Sequence, residues 1–438
     1  MEEKRFFGKI PDKKTIIIIG SCVLAAAVIA VVLCLCLRRS DPEEQSVKTA
    51  DTITGEPSVT AAATPTPVPT ATAAPTVTPT TIPTPTPMPA PVEHTNEIQS
   101  ALNGEWKSKE ITDKRPYCIM FNNIEAANPQ SGIGCAEILY EALTEGGITR
   151  MMGVFEGLDD TSTCRDRIGS VRSARHYFAS FADEYDSIFI HYGETTYATK
   201  KIAALSLDHL EGTYGIGDTV FYRDKTIKAP HNAFASLDGI HKGIEKMKFR
   251  TEHASDWMPN HFVFTDPDLE EYEELENGNE LIAAITSDPV YLGSGRSHSS
   301  VKDFNASDAS LVQLNYSKYM SPYLDYSEET GLYTRHQYND VHIDYNTCQP
   351  LTFKNIIIQI VHEFDKDKNG YQDMELHNAK GNGYYITEGK CIPITWEKNE
   401  DKRTMRYLTE DGNILAINNG RTFISVYPDF RLDKLKIE

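Results

Sequence analysis

The sequence lacks the short motifs that identify the commonest enzyme chemistries. It has no G-x-S-x-G nucleophile turn, no H-E-x-x-H zinc motif, no Walker phosphate loop, no dinucleotide fingerprint and no paired C-x-x-C. Each of these motifs holds a nucleophile, a metal ligand or a phosphate cradle at a set spacing. The 13 histidines show no tight metal-ligand spacing either. The sequence therefore indicates no reaction class, and we expect no cofactor from these patterns.

Basic residues are scarce relative to acidic ones. The chain has 43 Lys and Arg against 63 Asp and Glu, a formal net charge of -20. The short N-terminal tail is itself net positive, so the remainder is strongly acidic. An acidic body repels nucleic acid and other polyanions at long range. We therefore expect no nucleic-acid partner.

Cysteine is also sparse. Three of the 8 cysteines lie in an apolar N-terminal segment, and the other five are Cys118, Cys135, Cys164, Cys348 and Cys391. An odd number leaves at least one thiol unpaired within a monomer, and the number is too low for a disulfide framework. We predict that most of these cysteines are small buried apolar residues and that no disulfide is important to the structure.

One long apolar segment near the N-terminus carries no charge. Residues Thr15 to Leu37 are uncharged and mostly apolar. As a helix they measure about 34 Å, enough to cross a hydrocarbon core of about 30 Å. More basic residues precede this segment than follow it closely, which favours a cytoplasmic tail over residues 1–14 and an external chain after residue 37. We predict a single-pass membrane anchor over residues 15–37, with the C-terminal ectodomain outside the cytoplasm.

An alternative for the same segment is lipidation. Ile19-Gly20-Ser21-Cys22 resembles a bacterial lipoprotein cleavage site, although the apolar run before Cys22 is short. Cleavage and lipidation at Cys22 would tether the protein to the same face of the membrane as an uncleaved helix. Both alternatives predict the same cellular location.

Bulky apolar residues are rare in the next segment. Pro, Thr, Ala and Val dominate it as far as about residue 96. Such a chain has little to bury, and each Pro sets φ and removes a backbone donor, so the chain stays extended. We predict a disordered, Pro/Thr-rich linker with a lead-in over residues 38–111. This linker would space the folded part from the membrane.

Strand and helix patterns alternate over residues 112–255. Short apolar runs predict strands, and apolar residues at helical spacing predict helices. The predicted strands are 117–121, 148–155 and 187–191, and the predicted helices are 131–144, 172–185 and 195–205. This alternation predicts an α/β domain.

Runs of β-branched and aromatic residues dominate residues 301–438. LTFKNIIIQIVHEF and TFISVYP are typical of strands, and GNG at 381–383 and DGN at 411–413 are typical of turns. We predict a mostly antiparallel β domain. The acidic, poorly periodic segment 256–300 is expected to connect it to the α/β domain.

Several of these segments resemble the YerB-like family of predicted bacterial lipoproteins. The resemblance rests on NNIEAANPQSGIGCAEILYEALTEGGITR (122–150), IGSVRSARHYF (168–178), FYRDKTIKAPHN (221–232) and LTFKNIIIQ (351–359). The family is a domain of unknown function with N- and C-terminal halves. It implies a bacterial cell-envelope protein with an α/β half followed by a β-rich half. It implies no activity.

The segment IGSVRSARH contains the strongest candidate for a ligand site. We predict that Ser170 caps a helix whose first turns carry Arg172, Arg175 and His176. A helix N-terminus with free amides and two guanidinium groups suits a phosphate or a carboxylate. The alternative is that a protein carboxylate such as Glu145, Glu156 or Asp183 neutralises the arginines.

A second group of residues could close over the same pocket. Arg223 lies in FYRDK, and His231 and Asn232 end the basic loop that follows. His191 ends a predicted strand, and ligands of α/β sheets usually lie at such strand ends. The alternative is a solvated loop whose polar side chains bond to local turns.

The segment DKDKNGYQD has the spacing of a calcium loop in part. Asp365, Asp367, Asn369 and Asp373 offer oxygen ligands around Gly370, but Leu376 stands where the loop requires a Glu. The flanking residues favour strands, so a β-hairpin tip explains the same residues. A calcium site and a plain β-hairpin tip are therefore the two alternatives for this segment.

Three functions fit these observations. The leading hypothesis is a non-catalytic, membrane-anchored binding or regulatory protein that holds an anionic cell-wall or lipid-linked group in the α/β domain. The second is an enzyme acting on wall polymers, with His191, His231 or Glu194 as acid and base. The third is a scaffold that docks an envelope protein partner, such as a membrane enzyme.

Overall fold

β-Branched and aromatic runs make this a predominantly β structure, with short helices grouped in the N-terminal half. The structure, a computed structural model, describes residues 94–158, 164, 166–255, 257, 262–265, 301 and 304–438. The predicted anchor, residues 15–37, lies outside these ranges. Within them, no helix combines the length and the apolar character needed to cross a bilayer.

The N-terminal half contributes eleven of the described strands and all of the described α-helices. The strands are β1 (Glu97–Gln99), β2 (Trp106–Ser108), β3 (Tyr117–Asn123), β4 (Ile138–Leu143), β5 (Thr149–Phe155), β6 (Ile168–Gly169), β7 (Ile188–His191), β8 (His209–Glu211), β9 (Phe221–Arg223), β10 (Ala233–Ala235) and β11 (Val263–Phe264). The helices are α1 (Lys109–Thr112), α2 (His176–Glu184), α3 (Thr196–Leu205), α4 (Gly217–Val220) and α5 (Leu237–Met247).

The C-terminal half is built from strands. They are β12 (Ser307–Asp308), β13 (Leu311–Gln313), β14 (Tyr323–Ser327), β15 (Leu332–Gln337), β16 (Asp340–Val341), β17 (Thr352–Phe353), β18 (Asn355–Val361), β19 (Glu363–Asp365), β20 (Gln372–Met374), β21 (Lys380–Thr387), β22 (Lys390–Asn399), β23 (Thr404–Leu408), β24 (Ala416–Ile417), β25 (Thr422–Pro428) and β26 (Lys436–Ile437). The mixed α/β N-terminal region and the largely antiparallel C-terminal region are both as predicted.

One sheet of 11 strands runs through both halves. Its order is β12-β22-β21-β18-β25-β4-β5-β3-β7-β8, with β23 beside β22. The join is made by β25, which pairs in parallel with β18 on one side and with β4 on the other. The two halves predicted from the sequence therefore share a sheet and belong to a single compact unit, residues 88–438.

Strand β4 shows why one predicted helix is wrong. The sequence ILYEAL is buried along its whole length, with Leu139 in one apolar cluster and Ile138 and Tyr140 in the other. A strand covered on both faces reads as a nearly continuous apolar run, which periodicity cannot separate from a helix. Residues 131–144 therefore form a short 3-10 turn (Ile133–Cys135) followed by β4.

The start of helix α2 also differs from the prediction. The helix begins at His176, with Arg175 as its N-cap and no side-chain capping bond. Ser170 and Arg172 instead lie along β3, since the Asn122 amide donates to the Ser170 carbonyl at 2.9 Å and the Arg172 amide donates to the Met120 carbonyl at 3.1 Å. The prediction that Ser170 caps a helix is wrong, because these sheet bonds hold the segment extended.

The predicted turn at 381–383 is wrong for a different reason. Gly381 and Gly383 lie within β21. A Cβ on Gly381 would lie 2.7 Å from the Trp396 ring, and one on Gly383 would lie 2.3 Å from the Ile358 carbonyl oxygen. These glycines permit close approach inside a strand rather than a reversal of the chain.

Cysteine pairing corrects another expectation. Cys135 and Cys164 form a disulfide. Cys118 and Cys391 are free and buried, as predicted, whereas Cys348 is free and exposed. The disulfide ties the turn before β4 to the segment before β6, two parts of the chain that are 29 residues apart.

Candidate functional site

The carboxyl ends of three parallel strands set the position of the candidate site. β7 lies between β3 and β8 and is parallel to both. The extended segment 170–175 runs between the end of β3 and residues 192–194, which follow β7. The Tyr192 amide donates to the Arg172 carbonyl at 3.1 Å, and the Ala174 amide donates to the Gly193 carbonyl at 2.9 Å. Ligands of open α/β sheets usually bind at such an edge.

Four arginines gather beside this edge. We name Arg150, Arg172, Arg175 and Arg223 the arginine cluster. Arg175 is neutralised internally, because its guanidinium makes a two-pronged bond to Glu145, with Nε to Oε1 at 2.8 Å and Nη2 to Oε2 at 2.6 Å. The alternative named from the sequence, Glu145 as the partner of the arginines, is therefore correct for Arg175.

Arg172 is not neutralised in this way. Its side chain is half-buried, and its Nε is fully covered without a hydrogen-bond partner among the described residues. Burial lowers the pKa of Arg172, and the nearby cations Arg175 and Arg223 lower it further. The cluster thus holds positive charge that the described protein groups do not offset.

Arg150 adds to this charge and was not anticipated from the sequence. It lies on β5 and donates to the Ser173 carbonyl, while its Nε has no partner among the described residues. Burial, with Arg175 and Arg172 next in importance, lowers the pKa of Arg150 to about 9. The guanidinium remains charged at neutral pH. A bound anion would reduce the free-energy cost of keeping this charge buried beside other cations.

The basic loop reaches the same cluster. Arg223 donates to Asn232 Oδ1 at 2.8 Å and lies over the Tyr192 ring at 4.8 Å. His231 Nδ1 lies 2.9 Å from Asn122 Nδ2. Burial lowers the pKa of His231, and so do the charges of Arg172 and Lys228.

Of the predicted anion-site residues, the structure brings the following into one neighbourhood: Ser170, Arg172, Arg175, Arg223, His231 and Asn232. Ser170 is almost fully buried, and its Oγ has no hydrogen-bond partner among the described residues.

His176 lies outside the arginine cluster. It lines a cleft of about 430 Å³ between α2, α3 and the β19–β20 hairpin. Its Nε2 donates to Asp373 Oδ1 at 2.5 Å. Burial opposes ionisation of Asp373, but bonds from His176 and Lys366 outweigh it and lower the pKa of Asp373 to about 2. His176, Lys366 and Asp373 are therefore already paired with one another in this cleft.

The β-hairpin alternative explains the predicted calcium residues. Strands β19 and β20 pair in antiparallel fashion around them. Asp365 accepts from Gln372 Nε2 at 2.7 Å, and Asp367 accepts from the Asn369 amide at 2.8 Å and from Tyr197 Oη at 2.9 Å. These carboxylates are occupied by different protein donors. Calcium binding here stays a prediction.

His191 lies in a group that sequence reasoning missed. It ends β7 and is fully buried. Its Nε2 lies 3.0 Å from His209 Nδ1 and 3.8 Å from Glu194 Oε2. Burial lowers the pKa of His191 to about 3, so the ring is neutral at physiological pH. That protonation state suits a hydrogen-bond acceptor or a metal ligand better than a general acid.

No spacing in the sequence predicts this group. His191 and His209 are 18 residues apart and meet because β7 and β8 are parallel neighbours. The sequence analysis identified β7 but not the three-residue strand β8. Only the strand order could have paired them.

The architecture is that of two parts that share one sheet. The comparisons with known proteins also divide the chain into an N-terminal and a C-terminal part. The model described as "Protein of unknown function (DUF3048) N-terminal domain" matches residues 102–250, and the model of the DUF3048 C-terminal domain matches residues 312–424. Together they cover more than half of the chain. The chain belongs to this family, as the resemblance implied.

A curated relative and a solved structure give the same result. "Putative lipoprotein YerB" of Bacillus subtilis (strain 168) is 28% identical over 334 residues, 76% of this chain and 87% of the relative. The crystal structure of YerB protein from Bacillus subtilis is similar at a TM-score of 0.61 and 25% identity. The match covers 78% of this chain and 99% of the crystallised one.

Proposed function

We propose that this protein is an envelope-associated, extracytoplasmic binding protein whose arginine cluster holds an anionic group. The ligand class is a phosphate or carboxylate carried by a cell-wall or lipid-linked molecule. The cluster would act by binding and orienting this group, without a covalent step.

One observation carries the proposal. Arg172 is a half-buried cation whose Nε has no hydrogen-bond partner among the described residues, although 63 acidic residues are present in the chain. Burying a charge without a partner is costly, and a bound anion would remove that cost. The arginine fork also matches the geometry of phosphate and carboxylate oxygens.

The extracytoplasmic setting has independent support. The relative's printed name describes a lipoprotein, and an apolar segment followed by a Pro-rich linker precedes the folded part. The Cys135–Cys164 disulfide is typical of an oxidising compartment outside the cytoplasm. Each of these observations favours the same side of the membrane.

The test separates Arg172 from Arg175. The full chain, purified in detergent, is titrated with inorganic pyrophosphate at low salt in a calorimeter. We expect Arg172→Gln to weaken binding by at least about tenfold, since a charge-assisted bond contributes roughly 1.5–3 kcal/mol. Its melting temperature should stay close to that of the unmodified protein.

Arg175→Gln is expected to act on stability more than on pyrophosphate binding, since Glu145 already neutralises the Arg175 guanidinium. It strands Glu145 and lowers the free energy of unfolding by roughly 1.5–3 kcal/mol. Arg406→Gln is the matched control, because no described carboxylate pairs with Arg406 and it lies on β23. Pyrophosphate binding that is absent from the unmodified chain, or equal in the Arg172 and Arg406 variants, would refute the proposal.

The pH dependence supplies a second readout. Sulfate keeps its charge over the range used, so changes in affinity report on the protein. Burial lowers the pKa of His231, and the nearby cations lower it further. An anion that offsets those cations raises this pKa, and by linkage the protonated form binds sulfate more tightly. Sulfate affinity should rise as the pH falls below about 6.5, and His231→Gln should flatten this dependence.

A further inference from the structure

Three side chains near the end of β7 point their ligand atoms at a common position. They are His191, Glu194 and His209, and one nitrogen or oxygen atom of each lies within 4.8 Å of the other two. We name them the His-Glu-His group. The group is separate from the arginine cluster in its residues and in its chemistry.

The neighbouring bonds prepare these atoms to act as ligands. His191 Nδ1 lies 2.9 Å from the Gly193 carbonyl oxygen, which can only accept, so Nδ1 carries the proton and Nε2 presents a lone pair. Glu194 Oε1 accepts from Thr199 Oγ1 at 3.0 Å and from Tyr214 Oη at 2.9 Å. Outer bonds of this kind orient the ligands of protein metal sites.

Glu194 Oε2 is the atom that points to a missing cation. The Glu194 side chain is only 9% exposed, and Oε2 has no hydrogen-bond partner among the described residues. A single proton shared between His191 and His209 would explain their 3.0 Å separation. It would leave the buried carboxylate oxygen without a donor, at a cost that proteins rarely bear.

The distances fit a metal ion. Tetrahedral zinc has bonds of about 2.0–2.1 Å, which place ligand atoms about 3.3–3.4 Å apart. The separations of 3.0 Å between the two imidazole nitrogens and 3.8 Å from His191 Nε2 to Glu194 Oε2 lie on either side of that value. The third separation, between the ligand atoms of His209 and Glu194, is within 4.8 Å, so metal binding would draw these two side chains closer together.

We propose that His191, Glu194 and His209 form a site for a divalent first-row transition ion such as zinc. A set of two imidazoles and one carboxylate binds such ions in preference to magnesium or calcium. Three protein ligands leave a fourth position for water or for a ligand atom. The site is independent of anion binding at Arg172.

The test uses cobalt as a visible substitute for zinc. The tag-free full chain in detergent is stripped of metal with a chelator and titrated with Co²⁺. We expect one equivalent per chain, absorption bands of four- or five-coordinate cobalt, and displacement by Zn²⁺ but not by Mg²⁺. Glu194→Gln, which keeps the side-chain shape, and His209→Gln should each weaken binding by at least about tenfold.

The matched control is His362→Gln. His362 also bonds a carboxylate, Asp429, at 2.7 Å, but its side chain is 59% exposed, and its replacement should leave cobalt affinity unchanged. Circular dichroism verifies that each variant is folded. Cobalt affinity retained in either the Glu194 or the His209 variant, or binding without a defined stoichiometry, would overturn the proposal. The pyrophosphate titration of the Arg172 variant is a separate measurement, so the two proposals can fail independently.

Discussion

Replacing Arg335 with methionine is expected to destabilise the whole folded unit. Arg335 lies on β15 in the C-terminal half, and its Nη2 donates to Glu141 Oε2 of β4 in the N-terminal half at 2.8 Å. Both side chains are 0% exposed. Glu141 Oε1 accepts further bonds from Asn123 at 3.0 Å and Thr149 at 2.6 Å. The variant therefore leaves a carboxylate buried between the halves without its cation.

The magnitude follows from burial. Removing one partner of a buried ion pair costs about 3–5 kcal/mol, because the other charge stays buried and uncompensated. Typical domains have only about 5–15 kcal/mol of stability, so the loss is a large share. Combining Arg335→Met with Glu141→Gln removes both charges but keeps an acceptor for Asn123 and Thr149. We expect the double variant to cost at least about 1 kcal/mol less than the sum of the single variants.

Urea unfolding, monitored by circular dichroism and tryptophan fluorescence, measures these differences in the free energy of unfolding. The control is Lys354→Met, which breaks the partly exposed Lys354–Glu388 pair and should cost about 1 kcal/mol or less. In variants that keep a single tryptophan, Trp106 reports on the N-terminal half and Trp396 on the C-terminal half. A shared sheet predicts coincident transitions for both. A loss below about 1 kcal/mol for Arg335→Met, or separate transitions for the two halves, would contradict the reasoning.

Two further predictions concern acid sensitivity and the disulfide. Burial and Arg335 hold the pKa of His342 well below its ordinary value, so the unfolded chain binds the extra proton and stability falls as the pH drops below about 6.5. Between neutral and mildly acidic pH, the urea midpoint of His342→Gln should shift less than that of the unmodified protein. Opening the Cys135–Cys164 disulfide, which closes a loop across 29 residues, should cost roughly 3–4 kcal/mol. Urea midpoints of Cys135→Ser against the exposed, free-thiol control Cys348→Ser measure this cost, and equal midpoints would contradict it.

The candidate sites show how far local patterns reach. The motif at 168–176 contributes Arg172 and Arg175 to the arginine cluster. Its interpretation rested on a helix N-terminus, whereas the structure has an extended segment bonded to β3 there. Arg150 on β5 and Arg223 on β9 add their charges to those of the motif. Such residues are distant in sequence, so only strand pairing could place them beside Arg172.

Sequence reasoning named His191 and Glu194 separately, but not the group that they form with His209. Parallel strands are joined by crossovers, so residues that become neighbours at the strand ends have no characteristic spacing. His191 and His209 became neighbours only once β8 was placed beside β7. A search for short metal motifs could not have found them.

The sequence by itself determined the elements whose pattern is local: the β-branched strands of the C-terminal half, helix α3 with its Thr195 cap, and the acidic balance. Tertiary structure decided which runs are buried on both faces, which made 138–143 a strand, and which distant strands pair. It also decided that β25 joins the two halves through β4. The physical reason is that propensity and periodicity act over a few residues. Burial on both faces and parallel pairing depend on parts of the chain that are tens to hundreds of residues apart.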